Sequence, residues 1–197
     1  FYNLLMKSFS QDIVLKFQSF KDRNLSKIGK AFLCLGISAN TMTSISLILG
    51  CLSVYFLFVD YWTFFILAIL HLLADGLDGV IARVSKITVF GDYFDYASDR
   101  LVVILVYISL YGIIKDYLIL VILFFYLLNQ AIYVASNKTY PIIYYRSIGL
   151  LLMAFYPLIH LTYLTQYLTF CYLLGGAVTM FSLALQLKYY VENRIKV

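Results

Sequence analysis

The sequence predicts an all-α integral membrane protein: a six-transmembrane-helix bundle with an N-terminal amphipathic juxtamembrane helix. Three observations predict it. Of the 197 residues, 63% are hydrophobic and only 13% charged, with a mean hydropathy of +0.88. A soluble domain of this length needs more polar surface than that composition supplies. Apolar runs approaching the ~20 residues that cross a bilayer recur along the chain. The connections between them are short, as in one compact up-and-down bundle without a second domain.

The elements follow in order. Leu5, Phe9, Ile13, Phe17 and Phe20 recur at three- or four-residue intervals among Lys7, Lys16, Lys21 and Arg23. That pattern fits an amphipathic helix in the membrane interface, or a helix packed on the end of the bundle. This helix and its linker occupy 1–36, the membrane domain 37–190 and a tail 191–197. Six spans are expected, at 40–59, 61–74, 96–114, 117–136, 147–163 and 167–187. The second and third are expected to continue beyond the bilayer. Ser38 or Asn40 supplies an N-cap for the first. Pro141 breaks the helix after the fourth.

Basic residues set the orientation. With both termini cytoplasmic, Lys115 is the one outside among 15 Lys and Arg. The net charge of +5 lies largely in the N-terminal segment and suits an anionic membrane surface. No basic groove with interleaved aromatics stands outside the spans, so no nucleic-acid partner is expected; the 19 Tyr and 16 Phe read as packing and interface anchors. The N-terminal stretch is too polar and interrupted for a cleavable signal peptide. The chain opens at Phe1, not Met, as a fragment of a longer protein would. Cys34, Cys51 and Cys171 lack metal-ligand spacing and read as small apolar residues.

The acidic residues are distributed unevenly. Five of the 10 (Asp75, Asp78, Asp92, Asp95 and Asp99) fall within 75–99, between two apolar runs. Carboxylates at a membrane edge are expensive unless compensated, and Arg83, Lys86 and Arg100 are too few to do it. Hard divalent cations such as Mg²⁺ or Mn²⁺ are the natural complement. On a helix, Asp75, Asp78, Gly79 and Ala82 fall within an arc of about 100°, with Arg83 at its rim. Gly91, Asp95 and Asp99 recur every four residues on one face of the next helix, and Asp92 lies off that face. Two facing helices would gather four carboxylates, with Gly79, Ala82 and Gly91 leaving room for a close-lying ligand.

The run Asp75-x-x-Asp78-Gly79-x-x-Ala82-Arg83, followed after seven residues by Gly91-x-x-x-Asp95-x-x-x-Asp99, resembles the signature of the CDP-alcohol phosphotransferase family at every fixed position. The resemblance implies metal-dependent transfer of a substituted phosphoryl group from a CDP-alcohol lipid, such as CDP-diacylglycerol, to a small hydroxyl acceptor, with release of CMP. It implies that Asp75, Asp78, Asp95 and Asp99 hold two ions, Mg²⁺ or Mn²⁺, and that Asp99 is also the general base. Gly79, Ala82, Arg83 and Gly91 would line the CDP pocket. The family commonly carries Pro-Asn-x-x-Thr at the start of the first span. Asn40 and Thr43 keep that pattern with Ala39 replacing the proline, which would place them near the diphosphate, although capping alone would explain Asn40. Basic residues after the fourth span meet phosphorylated acceptors in relatives. Lys138 and Arg146 are the candidates, and both also satisfy the positive-inside pattern. Relatives are generally homodimers, and their lipid substrates and surrounding membrane lipids are the other partners.

Two other functions share parts of this pattern. An intramembrane prenyltransferase also uses aspartates and Mg²⁺ on diphosphates, but in two distant motifs. A divalent-cation transporter would place carboxylates near the midplane on broken helices, not at one edge beside an arginine. His71 shares the face of Asp75 one turn earlier, either as an outer partner of the metal site or as a packed, hydrogen-bonded histidine. Gly175-Gly176 with Thr179 permits close helix approach, within the chain or between copies.

Overall fold

The structure is a computed structural model that describes residues 26–85, 88–143, 149–150, 155 and 163–194. The described residues form helices and turns with no strand. Five helices are long and apolar enough to cross a membrane: α1 (Ala39–Phe56), α2 (Tyr61–Val84), α3 (Val89–Ile114), α4 (Tyr117–Ala135) and α5 (Leu164–Arg194). They correspond to five of the six expected spans. The expected span at 147–163 and the amphipathic pattern from Leu5 to Phe20 lie outside the described residues, apart from 149–150, 155 and 163. As expected, the second and third spans extend through the acidic motif: α2 and α3 run for 24 and 26 residues.

The helices carry an inverted pattern. Ile48, Leu73 and Phe124 are more than half exposed, whereas Ser46, His71, Asn129, Ser182 and Gln186 are almost fully buried. In lipid, apolar side chains gain little by leaving the surface, and polar ones must find partners inside. The periodic apolar stripe of a soluble helix is therefore absent, and the interior is marked by its polar residues.

The chain divides into two compact units. The first comprises 1–49 and 69–98. Its small apolar core joins Met42, Ala74 and Ile81, with Phe32, Leu33 and Leu77 packed against them. Residues 26–34 are helical and lie close on α2: a methyl added at Gly29 would stand 2.9 Å from Val84 Cγ2. This helix ends at Gly36, whose φ of +78° is a left-handed conformation that costs glycine nothing. Ser38 then starts α1, accepting from the Thr41 amide at 3.2 Å.

The second unit comprises 50–68 and 99–197. Its core is larger, built on Leu57, Phe64, Val103, Leu110, Ile119 and Leu168. Asp60 and Asp116 begin α2 and α4. Asp60 accepts from the Thr63 amide at 3.1 Å and from its hydroxyl. Asp116 accepts from the Leu118 amide at 2.9 Å and from the Tyr172 hydroxyl on α5. Gly176 meets Ile122 so closely that an added methyl would lie 2.8 Å from its Cδ1. The small residues at 175–176 thus serve a contact within the chain, between α4 and α5.

Candidate active site

Asp75, Asp78, Gly79, Ala82 and Arg83 lie along the second half of α2, and Gly91, Asp92, Asp95 and Asp99 on the first three turns of α3. Only residues 85–88 separate the two helices in sequence, and the two halves of the motif come together. Asp75 and Asp95 place carboxylate oxygens within 4.8 Å of each other, and along α3 Asp95 stands equally close to Asp99 one turn on. Two unit charges at that spacing repel by about 3 kcal/mol at an effective dielectric constant of ~20. Oxygen donors converging at this range suit a hard divalent ion, so the donor set fits Mg²⁺ or Mn²⁺.

Asp78 is 5% exposed and lies beside this group. It accepts a hydrogen bond from Thr43 Oγ1 at 2.9 Å, and the same hydroxyl lies 3.1 Å from the Ala39 carbonyl. Thr43 thereby ties α1 to the acidic hairpin. Because Ser38 caps α1, Asn40 has another task. A methyl added at Gly91 would stand 2.6 Å from Asn40 Oδ1 and 2.9 Å from Thr88 Oγ1. A methyl there would require the ends of the Asn40 and Thr88 side chains to shift, because α3 begins directly against Asn40. At Gly79 the added methyl would meet only Arg83 Nη1, at 3.9 Å. That glycine leaves open space.

The open space is a cavity of about 230 Å³ lined by Asn40, Thr43, Asp78, Gly79, Ala82, Arg83, Gly91 and Asp95, with Ala39, Thr88 and Asp92 completing its wall. Every residue expected at the CDP pocket is therefore in one lining, together with two of the expected metal ligands. The family model for CDP-alcohol phosphatidyltransferase matches residues 36–188. The chain belongs to that family. No curated protein and no solved structure matches it. CDP-alcohol phosphatidyltransferases are transferases that act on a CDP-alcohol and an acceptor alcohol, and membership favours that chemistry over prenyl transfer or cation transport.

Other expectations fare differently. Lys138 sits in the turn after α4 with a φ of +61° and is not among the residues that line the cavity. Arg146 lies outside the described residues. His71 has its Nδ1 2.8 Å from the Ser46 carbonyl and 3.0 Å from Ser46 Oγ, and the residue is 1% exposed. It is a packed, hydrogen-bonded histidine joining α1 to α2. Asp92, expected off the face of Gly91, Asp95 and Asp99, is not among the carboxylates gathered with Asp75 and Asp95, and it also contributes to the cavity wall.

Thr88 escaped the sequence reading altogether. Its hydroxyl accepts from the Gly91 amide at 3.0 Å, and a threonine three residues before a fixed glycine at a helix start was the signal.

Proposed function

We propose that this phosphatidyltransferase moves a phosphatidyl-type group from a CDP-alcohol lipid such as CDP-diacylglycerol to the hydroxyl of a small alcohol, releasing CMP. The observation that carries this reading is the single cavity in which Asn40, Thr43, Gly79, Ala82, Arg83 and Gly91 meet Asp78 and Asp95. The acceptor oxygen bonds to the lipid-bearing phosphorus, the bond from that phosphorus to the bridging oxygen breaks, and CMP leaves with the bonding pair. Asp99 takes the proton of the acceptor hydroxyl.

Asp75, Asp78, Asp95 and Asp99 would hold one or two divalent ions, Mg²⁺ or Mn²⁺. Bound there, the metal supplies charge neutralisation for the diphosphate and for the oxygen that leaves. Arg83 offers a planar cation to a phosphate oxygen. Thr43 orients the Asp78 carboxylate through its hydrogen bond. Gly79 lets the flat nucleotide approach the backbone, and Gly91 lets α3 start close against Asn40 at the cavity wall. Phosphoryl transfer is mainly positioning and electrostatics, which is what these residues provide.

The lipid chains remain in the bilayer while the headgroup enters at its edge, on the cytoplasmic side by the charge asymmetry of the loops. The protein works as a homodimer in phospholipid biosynthesis. Residues 37–190 form the catalytic domain, with 1–36 an interfacial element and 191–197 a tail. Lys138 and Arg146 would meet the phosphate of a phosphorylated acceptor.

The test is CMP release by the purified protein in lipid bilayers, with CDP-diacylglycerol and a panel of acceptor alcohols. CMP formation that depends on an acceptor and yields the matching phosphodiester supports the reading. Failure to release CMP from any CDP-lipid rejects it.

A further inference from the structure

We propose that Gln130 is a positioning residue for this transfer: it holds the guanidinium of Arg100, which in turn fixes the carboxylate of Asp99. The inference rests on the reading of Asp99 as the base. Arg100 follows Asp99 on α3, about 100° further round the helix. It is 9% exposed, and Gln130, on α4, is 7% exposed. Arg100 Nε donates to Gln130 Oε1 at 3.1 Å, while its Nη1 lies 3.4 Å from Asp99 Oδ2. The guanidinium is rigid and planar, so fixing its Nε also fixes the direction of its Nη1 edge.

The choice of amide has a chemical reason. A carboxylate at position 130 would orient the arginine but also compete for its charge. The neutral carbonyl of glutamine orients it and leaves the positive charge to Asp99. Gln130 is itself held in register through its neighbour. Asn129 Oδ1 accepts from Ser182 Oγ at 3.4 Å, and its backbone carbonyl accepts from Gln186 Nε2 at 3.3 Å, both on α5. Placement of the base is thereby referred through α4 to α5. The geometry matters because a misplacement of ~1 Å can lower a rate by about a hundredfold.

The experiment measures steady-state turnover and equilibrium CDP-lipid binding on the full chain in bilayers. Gln130→Met keeps the length and removes the acceptor. It should lower kcat roughly tenfold, the scale seen when an outer partner of a site is lost, with KM for the CDP-lipid and the number of binding sites unchanged. Gln130→Asn, polar but too short to reach Arg100, should do the same. Gln130→Glu restores an oxygen at the right place and should retain severalfold more turnover than Gln130→Met. In an Arg100→Met background, Gln130→Met should add no further loss. A fall explained wholly by fewer binding sites, or losses that multiply in the double variant, would overturn the proposal. A wild-type protein that releases no CMP removes the reading of function and this inference with it; an active wild type with unaffected Gln130 variants removes the inference alone.

Discussion

Two sets of aspartates in this protein use one chemical group in opposite ways. Asp60 and Asp116, in the second unit, each begin a helix and accept both a backbone amide and a side-chain hydroxyl. Helix starts supply donors and positive potential, so these carboxylates are satisfied where they stand. Asp75 and Asp95, in the first unit, place oxygens within 4.8 Å of each other, and Asp78 lies beside them. Four carboxylates on two helices, none of them at a helix start, create a demand for positive charge that a divalent cation would meet. An aspartate gains a functional meaning here from the company of other aspartates, not from burial or exposure alone.

The sharpest way to break this contrast is to remove the cation. Chelation should abolish CMP release, and Mg²⁺ or Mn²⁺ should restore it; full turnover in excess chelator would disprove the metal role of the cluster. Single amide substitutions come next. Asp75→Asn or Asp78→Asn should lower both CDP-lipid binding and turnover by roughly a hundredfold or more. Asp99→Asn should collapse the rate constant with only a modest loss of CDP-lipid affinity. If that affinity disappears as well, Asp99 is a metal ligand and not the base.

Gly91→Ala refines the picture at a smaller scale. The added methyl would push the ends of the Asn40 and Thr88 side chains away from their places in the cavity wall, so turnover should fall up to about tenfold. Asn40→Gly in the same chain should relieve part of that pressure, and kinetics on the pair would show whether it does.

The capping aspartates should give the smallest effects. Asp116→Asn is expected to lower the midpoint of thermal unfolding while turnover changes less than about twofold, the outcome for a helix cap with a side-chain amide in its place. The Tyr172 hydroxyl, followed by the Leu118 amide, holds the Asp116 carboxyl below its ordinary range. The Thr63 hydroxyl does the same for Asp60. A lowered folded-state pKa contributes stability that is present above the unfolded carboxylate value of about 3.9 and is lost as pH falls through the folded value. Acid titration of unfolding should therefore show a loss below about pH 4 that is reduced in Asp116→Asn.

Much of this was legible in the sequence because it is local. Helix spans follow from uninterrupted apolar runs, and the acidic hairpin from eight fixed residues within 75–99. Ser38 and Asn40 could not be told apart as caps, since both residue types suit the position; the contact between Asn40 and Gly91 separates them. Asp92 stands apart from the clustered carboxylates, as its helix face implied, while its place in the cavity lining depends on how the first turn of α3 meets its neighbours, which a face calculation on one helix does not contain. The polar interior of α4 and α5 left no pattern at all. The pair Asn129-Gln130 and the isolated Ser182 and Gln186 interrupt apolar runs, and the partners of Gln130 and Asn129 lie 30 to 57 positions away.

The short connection between α2 and α3 has a consequence for how this protein is made. All the clustered aspartates are laid down within 25 consecutive residues, and the hydrogen bond from Thr43 to Asp78 reaches back to a helix already synthesised. The nascent chain thus contains every part of the acidic hairpin before α4 and α5 leave the ribosome. Ion capture at that stage would silence the repulsion early, before the rest of the chain is made.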